Sequence, residues 1–365
     1  MKFFFFQRSG AAAVLLACCA FAQAQTSAPA AAAQAQAPAQ AASVEPGLHE
    51  NQRFAGYSPL ARTTTMFERM MSPLWAQQAL DAYAAKGETP PDYTLDLDAE
   101  RYTLYVPDTG PGPRGYGLVV FVPPWRNAAV PRRWRKVLNE HGVLFVTAAN
   151  SGNDALEIPR RVALALHEYA NVSKAFRVDP ERVYIAGFSG GGRVALRMAI
   201  GYPDVFRGAL VDGASDNIGS FLVPLPDPEL LYRAQEHSRL IYLYGTDDEA
   251  NAMRARYSMA SAQALCINDV TKLPMFHRAH LPADATTWER GLELLEQPLK
   301  PPPADLEACR QRVEAEAAAG LAEVTALVDR GKTAEARKAV AQLDARFAHL
   351  VWPETHDLAK KLPPQ

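Results

Sequence analysis

Arg182-Val183-Tyr184-Ile185-Ala186-Gly187-Phe188-Ser189-Gly190-Gly191-Gly192 passes from an apolar run into a serine set among glycines. The apolar residues before Gly187 predict a buried strand, and Gly192 to Ile200 predicts a helix. Gly-x-Ser-x-Gly between a strand and a helix is the setting of a nucleophile elbow, a sharp turn that lifts a serine hydroxyl above a sheet. Residues two before and two after the serine must be nearly side-chain free there, and glycine tolerates the strained backbone. Gly191, Ala195 and Ala199 line one helix face with small residues, which lets the helix approach the sheet closely. An incidental serine in a glycine-rich turn is the alternative, and the flanking strand and helix weigh against it.

Outward from this turn, strands and helices alternate. Gly117 to Val122 and Gly142 to Ala148 are short and wholly apolar, as in parallel strands covered on both faces. A helix is expected over 130–140, and Ile158, Val162, Leu166 and Tyr169 recur at helical spacing. Further strands are expected at 208–211, 240–244 and 270–273, with helices over 249–266 and 285–295. Upstream, Tyr93, Leu95 and Leu97 alternate, then Tyr102, Leu104 and Val106, which predicts a hairpin over 93–106. A helix near 74–85 precedes it. The class is therefore α/β, a doubly wound, mostly parallel sheet over 48–300. Lys300-Pro301-Pro302-Pro303 marks a boundary. Beyond it, 301–365 is a helical extension. Ala317, Leu321, Val324 and Val328 share one face, Gly331 breaks the pattern, and Ala336, Val340, Leu343 and Phe347 share the next. This is a C-terminal helical hairpin expected to pack on the preceding domain.

The first residues have the pattern of a signal peptide over 1–24. Lys2 and Arg8 flank a Phe-rich run, Gly10 to Ala22 is apolar, and Ala20-Phe21-Ala22 or Ala22-Gln23-Ala24 fits cleavage. Leu15-Leu16-Ala17-Cys18 offers a second processing route, lipidation at Cys18 and attachment to a membrane. Residues 25–47, rich in Ala, Gln and Pro, are expected to be a disordered linker. The protein is thus expected to be exported, periplasmic or secreted. Loss of Lys2 and Arg8 takes the formal charge from -2 to -4, which argues against a nucleic-acid partner. Cys266 and Cys309 then remain, either as one disulfide or as two buried thiols.

A serine hydroxyl needs a base to take its proton, and a histidine oriented by a carboxylate serves. In a sheet of this kind the order is serine, acid, histidine, each after a strand. The strand at 240–244 runs into Gly245-Thr246-Asp247-Asp248, so Asp248 is the expected acid, with Asp247 in reserve. His277 and His280 follow the last strand, and His280, just before a helix capped by Asp284, is the expected base. An oxyanion needs two donors. One is the N–H of Gly190. The other should come from Pro123-Pro124-Trp125-Arg126, where the prolines have no N–H, which leaves Trp125 or Arg126. Asn150-Ser151-Gly152-Asn153 faces the same rim as a polar turn. Arg132 to Lys136 reads as a solvated basic helix face. No His-Glu-x-x-His, Cys-x-x-Cys or Gly-x-x-x-x-Gly-Lys occurs, so no metal or cofactor is inferred.

From Tyr93 to Leu295 the chain resembles the α/β-hydrolase superfamily. Within it the likeness is to exported bacterial esterases of the polyhydroxybutyrate-depolymerase and feruloyl-esterase-like group. Arg101-Tyr102-Thr103-Leu104-Tyr105-Val106-Pro107, the run from Val178 to Gly192, and Gly245-Thr246-Asp247-Asp248 carry it. The resemblance implies a serine hydrolase acting on acyl esters, with Ser189 as nucleophile, Asp248 as acid and His280 as base. Pro123-Pro124-Trp125 stands where the group has His-Gly, and Ala279 where it has Gly before the histidine. A serine peptidase on the same fold and a catalytically inactive scaffold remain as other readings.

Overall fold

The computed structural model describes residues 44–155 and 158–363. The leader, the lipidation site at Cys18 and the linker up to residue 43 lie outside the described residues. Among the described residues eight strands form one sheet. They are β1 (Gly47–Gln52), β2 (Tyr102–Val106), β3 (Tyr116–Val122), β4 (Val143–Ala148), β5 (Val178–Phe188), β6 (Gly208–Asp212), β7 (Arg239–Gly245) and β8 (Val270–Met275). Their spatial order is β1-β2-β4-β3-β5-β6-β7-β8. From β4 to β8 the neighbours are parallel, whereas β1 pairs antiparallel with β2, and β2 with β4. The expected α/β class is borne out, in an α/β-hydrolase-like layout.

Helices α1 (Thr63–Met70) and α2 (Pro73–Ala84) precede β2. Then α3 (Arg135–His141), α4 (Ile158–Ala175), α5 (Gly190–Gly201), α6 (Pro228–His237), α7 (Glu249–Ala264) and α8 (Ala285–Glu296) connect or follow the strands. Successive strand residues face opposite sides of a sheet, so each strand feeds two cores. Leu118, Val120, Leu144, Val146 and Ile185 join one core, while Val119, Phe121, Phe145 and Tyr184 join the other. In the second, Trp134 and Trp288 stack with ring centres 4.0 Å apart. Both rings are fully buried, and aromatic pairs of this size dominate core energetics.

Beyond the sheet lie α9 (Leu306–Asp329), α10 (Thr333–Phe347) and α11 (Glu354–Lys360). The two long helices pack together, burying Val313, Ala317 and Val324 against Val340, Leu343 and Phe347. Cys266, just past α7, pairs with Cys309 in α9, with Cα atoms 5.9 Å apart. Asp344 of α10 accepts the main-chain N–H of Leu74 in α2 at 3.1 Å, so the hairpin also meets the N-terminal helices.

The hairpin expected over 93–106 does not form. Only its second half is a strand, and the antiparallel partners of β2 are β1, some fifty residues upstream, and β4. Leu95 and Leu97 are buried from an irregular segment, so their alternation reflects packing rather than a pleat. Helices α1 and α6 were not expected. The N-cap of α6 is Asp227, whose side chain accepts from Glu229 and Leu230 N–H.

Candidate active site

β5 delivers Ser189 into a backbone conformation of φ 55° and ψ -123°, strained for a residue with a side chain. The turn closes so tightly that a side chain at Gly187 would strike the carbonyl of Gly191, and one at Gly191 the carbonyl of Val122. Both obstacles are backbone, which does not swing aside. The main-chain N–H of Ser189 donates to the Asp212 carbonyl of β6 at 2.8 Å. The hydroxyl is thereby held above the C-terminal edge of the sheet, where ligands of open α/β sheets bind.

Two other strands end at the same edge. β7 leads into Gly245-Thr246-Asp247-Asp248, and β8 into the loop carrying His277 and His280. The loops are pinned together. Thr246 N–H donates to the Met275 carbonyl at 3.0 Å, Asp247 N–H to the Arg278 carbonyl at 3.0 Å, and His277 N–H to the Thr246 hydroxyl at 2.9 Å. His280 Nε2 then lies 2.8 Å from Ser189 Oγ, and His280 Nδ1 lies 2.6 Å from Asp248 Oδ2. Asn251, one turn into α7, donates its amide to both oxygens of Asp248 at 3.0 and 2.8 Å. The Phe188 ring stacks 4.9 Å from the His280 ring at a tilt of 31°. The Asp248 side chain is 11% exposed and that of His280 39%, so the carboxylate is shielded and the imidazole opens to the cleft.

Of the alternatives, Asp247 is exposed, and its Oδ1 accepts from the Thr246 hydroxyl at 3.3 Å. The His277 side chain is exposed, and its backbone turns at φ 55°. Neither meets Ser189.

Two groups fix the histidine loop from below. Ala283 N–H donates to Asp212 Oδ2 at 2.8 Å, and the Trp134 indole N–H donates to the Ala283 carbonyl at 3.0 Å. Burial lifts the Asp212 carboxyl from the ordinary carboxylate range to about 8.

A cleft of about 390 Å³ opens beside Ser189 and His280. Gly190 lines it, together with Asn153, Arg161, Arg193, Arg197, Asn251 and Arg254. Trp125 stands behind this wall, its ring 6.1 Å from that of Phe121 and its carbonyl against Gly152. The neighbours of Gly190 are instead Asn153 and Arg161, since a side chain at Gly190 would meet Asn153 Oδ1 and come within 3.3 Å of Arg161 Nη1. Arg161 donates from Nε to the Ser151 carbonyl at 2.8 Å and from Nη2 to the Pro123 carbonyl at 2.9 Å. One of these acceptors, Pro123, belongs to the loop from which a second oxyanion donor is expected.

Sequence reasoning placed Asn153 on this rim as a polar turn and passed over the arginines. Arg193 and Arg197, four apart on the helix that follows Ser189, share a face by spacing. That was a usable signal. Arg161 offered none, being one basic residue in an amphipathic helix.

No protein-family model matches the chain. A stretch of 74 residues is 38% identical to "Putative esterase NocK" of Nocardia uniformis subsp. tsuyamanensis, covering 20% of this chain and 19% of that protein. The chain matches under a fifth of that relative's length. An α/β-hydrolase-like fold and a distant relative named as an esterase are what the chain shows. Among solved structures, S-formylglutathione hydrolase from Staphylococcus aureus overlays with a TM-score of 0.40 at 12% identity, over 54% of this chain and 92% of that one. Est1E from Butyrivibrio proteoclasticus overlays at 0.37 and 17%, over 61% and 98%. Overlays at this level carry no argument about chemistry.

Proposed function

We propose that the chain is an exported serine hydrolase that cleaves carboxylic esters through an acyl-enzyme on Ser189. The observation that carries this reading is the unbroken hydrogen-bond path from Ser189 Oγ through both nitrogens of His280 to Asp248. Ser189 Oγ attacks the ester carbonyl while its proton passes to His280 Nε2. Asp248 accepts from His280 Nδ1–H, which sets the tautomer and stabilises the imidazolium. Asn251 steadies the Asp248 carboxylate. The carbonyl oxygen gains charge against the N–H of Gly190 and a second donor, assigned from sequence to Trp125. The intermediate then collapses, and the alcohol leaves with the proton from Nε2. Water enters, gives a proton to Nε2, attacks the acyl carbon, and releases the acid and Ser189.

Export rests on the leader pattern of residues 1–24, with cleavage favoured over lipidation at Cys18. The bond between Cys266 and Cys309 suits an oxidising compartment. The likeness to depolymerase and feruloyl-esterase-like enzymes supports an acyl ester as substrate class and leaves polymer preference out.

A fluorophosphonate probe tests the mechanism. Labelling of the wild type that disappears in Ser189→Ala is expected, together with faster turnover of an ester than of its matched amide. Equal labelling of both proteins ends the proposal, and preference for the amide makes the chain a peptidase.

A further inference from the structure

We propose that the substrate carries a free carboxylate in addition to its ester, and that Arg161, Arg197 and Arg254 form the subsite for it. The inference rests on the hydrolase reading above and names its substrate class.

The cleft beside Ser189 is lined by four arginines and one acid, Asp216. Asp216 is occupied by Arg193, with Nη2 to Oδ1 at 2.7 Å. Among the described residues, no carboxylate oxygen lies within 4.0 Å of Arg161, Arg197 or Arg254. Asp154, the acid whose charge acts on Arg161, pairs with Arg126 at 3.8 Å. Two of these three guanidiniums are inside the protein, Arg161 at 5% and Arg197 at 6% exposure, and the acids that act on them, Asp154 and Asp216, do so without a direct ion pair.

A buried cation without a counter-ion is costly, and proteins normally pair it. Among the described residues the hydrogen-bond partners are backbone carbonyls. Arg161 uses two nitrogens on Ser151 and Pro123, which leaves Nη1 toward Gly190. Arg197 donates to the Met70 carbonyl, and its Nε has no partner. Burial lowers both groups to about 10, so both stay charged at neutral pH. Carbonyl clamps fix the guanidiniums in place without neutralising them. An anion entering the cleft would find preset donors, and a guanidinium fork matches a carboxylate edge.

Arg197 also borders a second cavity of about 330 Å³, which shares Leu222 with the cleft and is otherwise walled by groups such as Met66, Phe67, Met70 and Trp75. Thr63 and Thr94 also line that chamber, whereas Arg161 and Arg254 line the Ser189 cleft alone, so three arginines converge only on the Ser189 side.

The test uses two matched pairs, with rates normalised to alkaline hydrolysis. One pair is the p-nitrophenyl monoester of glutaric acid and its methyl ester, and the other is 4-acetoxybenzoate and its methyl ester. The anion should be preferred roughly ten-fold or more in kcat/KM in at least one pair, the scale of a charged hydrogen bond. Arg254→Gln, a change at an exposed site that spares folding, should lower that ratio. Independently of turnover, glutarate should bind the Ser189→Ala protein, whereas dimethyl glutarate should not. Preference for the neutral ester in both pairs overturns the proposal, as does binding of inorganic phosphate but not glutarate. Failure of fluorophosphonate labelling would instead strike the hydrolase reading and leave the binding measurement standing.

Discussion

Asp212, at the end of β6, accepts the main-chain N–H of Ala283 at 2.8 Å, three residues beyond His280. The same residue's carbonyl receives the N–H of Ser189. One strand end therefore holds the serine turn through its backbone and the histidine loop through its side chain.

Asp212 should make stability fall as pH rises. In the fold its carboxyl keeps its proton up to about 8, because burial outweighs the Ala283 hydrogen bond and the nearby charges of Arg133 and Arg278. In the unfolded chain it ionises near 4. Unfolding thus releases a proton between these values, and its stabilising share is lost through that window. Asp212→Asn keeps an acceptor for Ala283 and removes the ionisation. The melting-temperature advantage of the variant over wild type should grow from about pH 4 to pH 8. Parallel curves would refute this.

The assignment of the acid separates cleanly by mutation. Asp248→Asn should lower kcat roughly ten-thousand-fold, the scale seen when a triad histidine loses its tautomer partner. Asp247→Asn should leave kcat alone, since its exposed carboxylate meets the Thr246 hydroxyl rather than His280. Steady-state kinetics on one activated ester decides both.

His167 should work in the opposite sense from Asp212. Its Nδ1 accepts the Ser58 N–H at 2.9 Å, and the rings of Phe54, Tyr57 and Tyr93 pack around it. Burial lowers its pKa to about 4. Between the unfolded value near 6.5 and this one, unfolding takes up a proton, so stability drops as pH falls through the window. The neighbouring buried Glu168, whose carboxyl is pushed upward, acts in the reverse direction. Comparing wild type with His167→Gln by thermal melts isolates the histidine, and the variant should lose less between pH 6.5 and 4.

Opening the disulfide should cost about 4 kcal/mol by the chain-entropy relation for a bridge closing this span. Cys266 and Cys309 are 43 residues apart, and the bond ties α9 to the end of α7. Cys309→Ser should show this loss in urea unfolding. The environment of Ser189 stays intact, so fluorophosphonate labelling should persist in the native protein.

How far the sequence alone reached differs from residue to residue. The strand, serine turn and small-faced helix around Ser189 were legible, because their glycine and apolar pattern lies within one short stretch of chain. Asp248 was legible as the carboxylate at a strand end. His280 and His277 both follow the last strand, and only the pinning of their loop on Thr246 and Asp247 brings one of them to the serine. The failed hairpin at 93–106 shows the limit of alternation, since short buried loops alternate too. One partner of β2, β1, lay far upstream in a stretch without apolar periodicity.

Local chemistry thus determined the serine turn, the alternation of strands and helices, and the order of the expected triad, because neighbours along the chain set those. Tertiary structure alone decided that the loop of His280 is pinned on Thr246 and Asp247, that Asp212 anchors both loops, and that Arg161 and Arg197 stand in the cleft without a described ion-pair partner. Those depend on distances between groups from different strands and helices, and such distances exist only once the sheet has brought their ends to one edge.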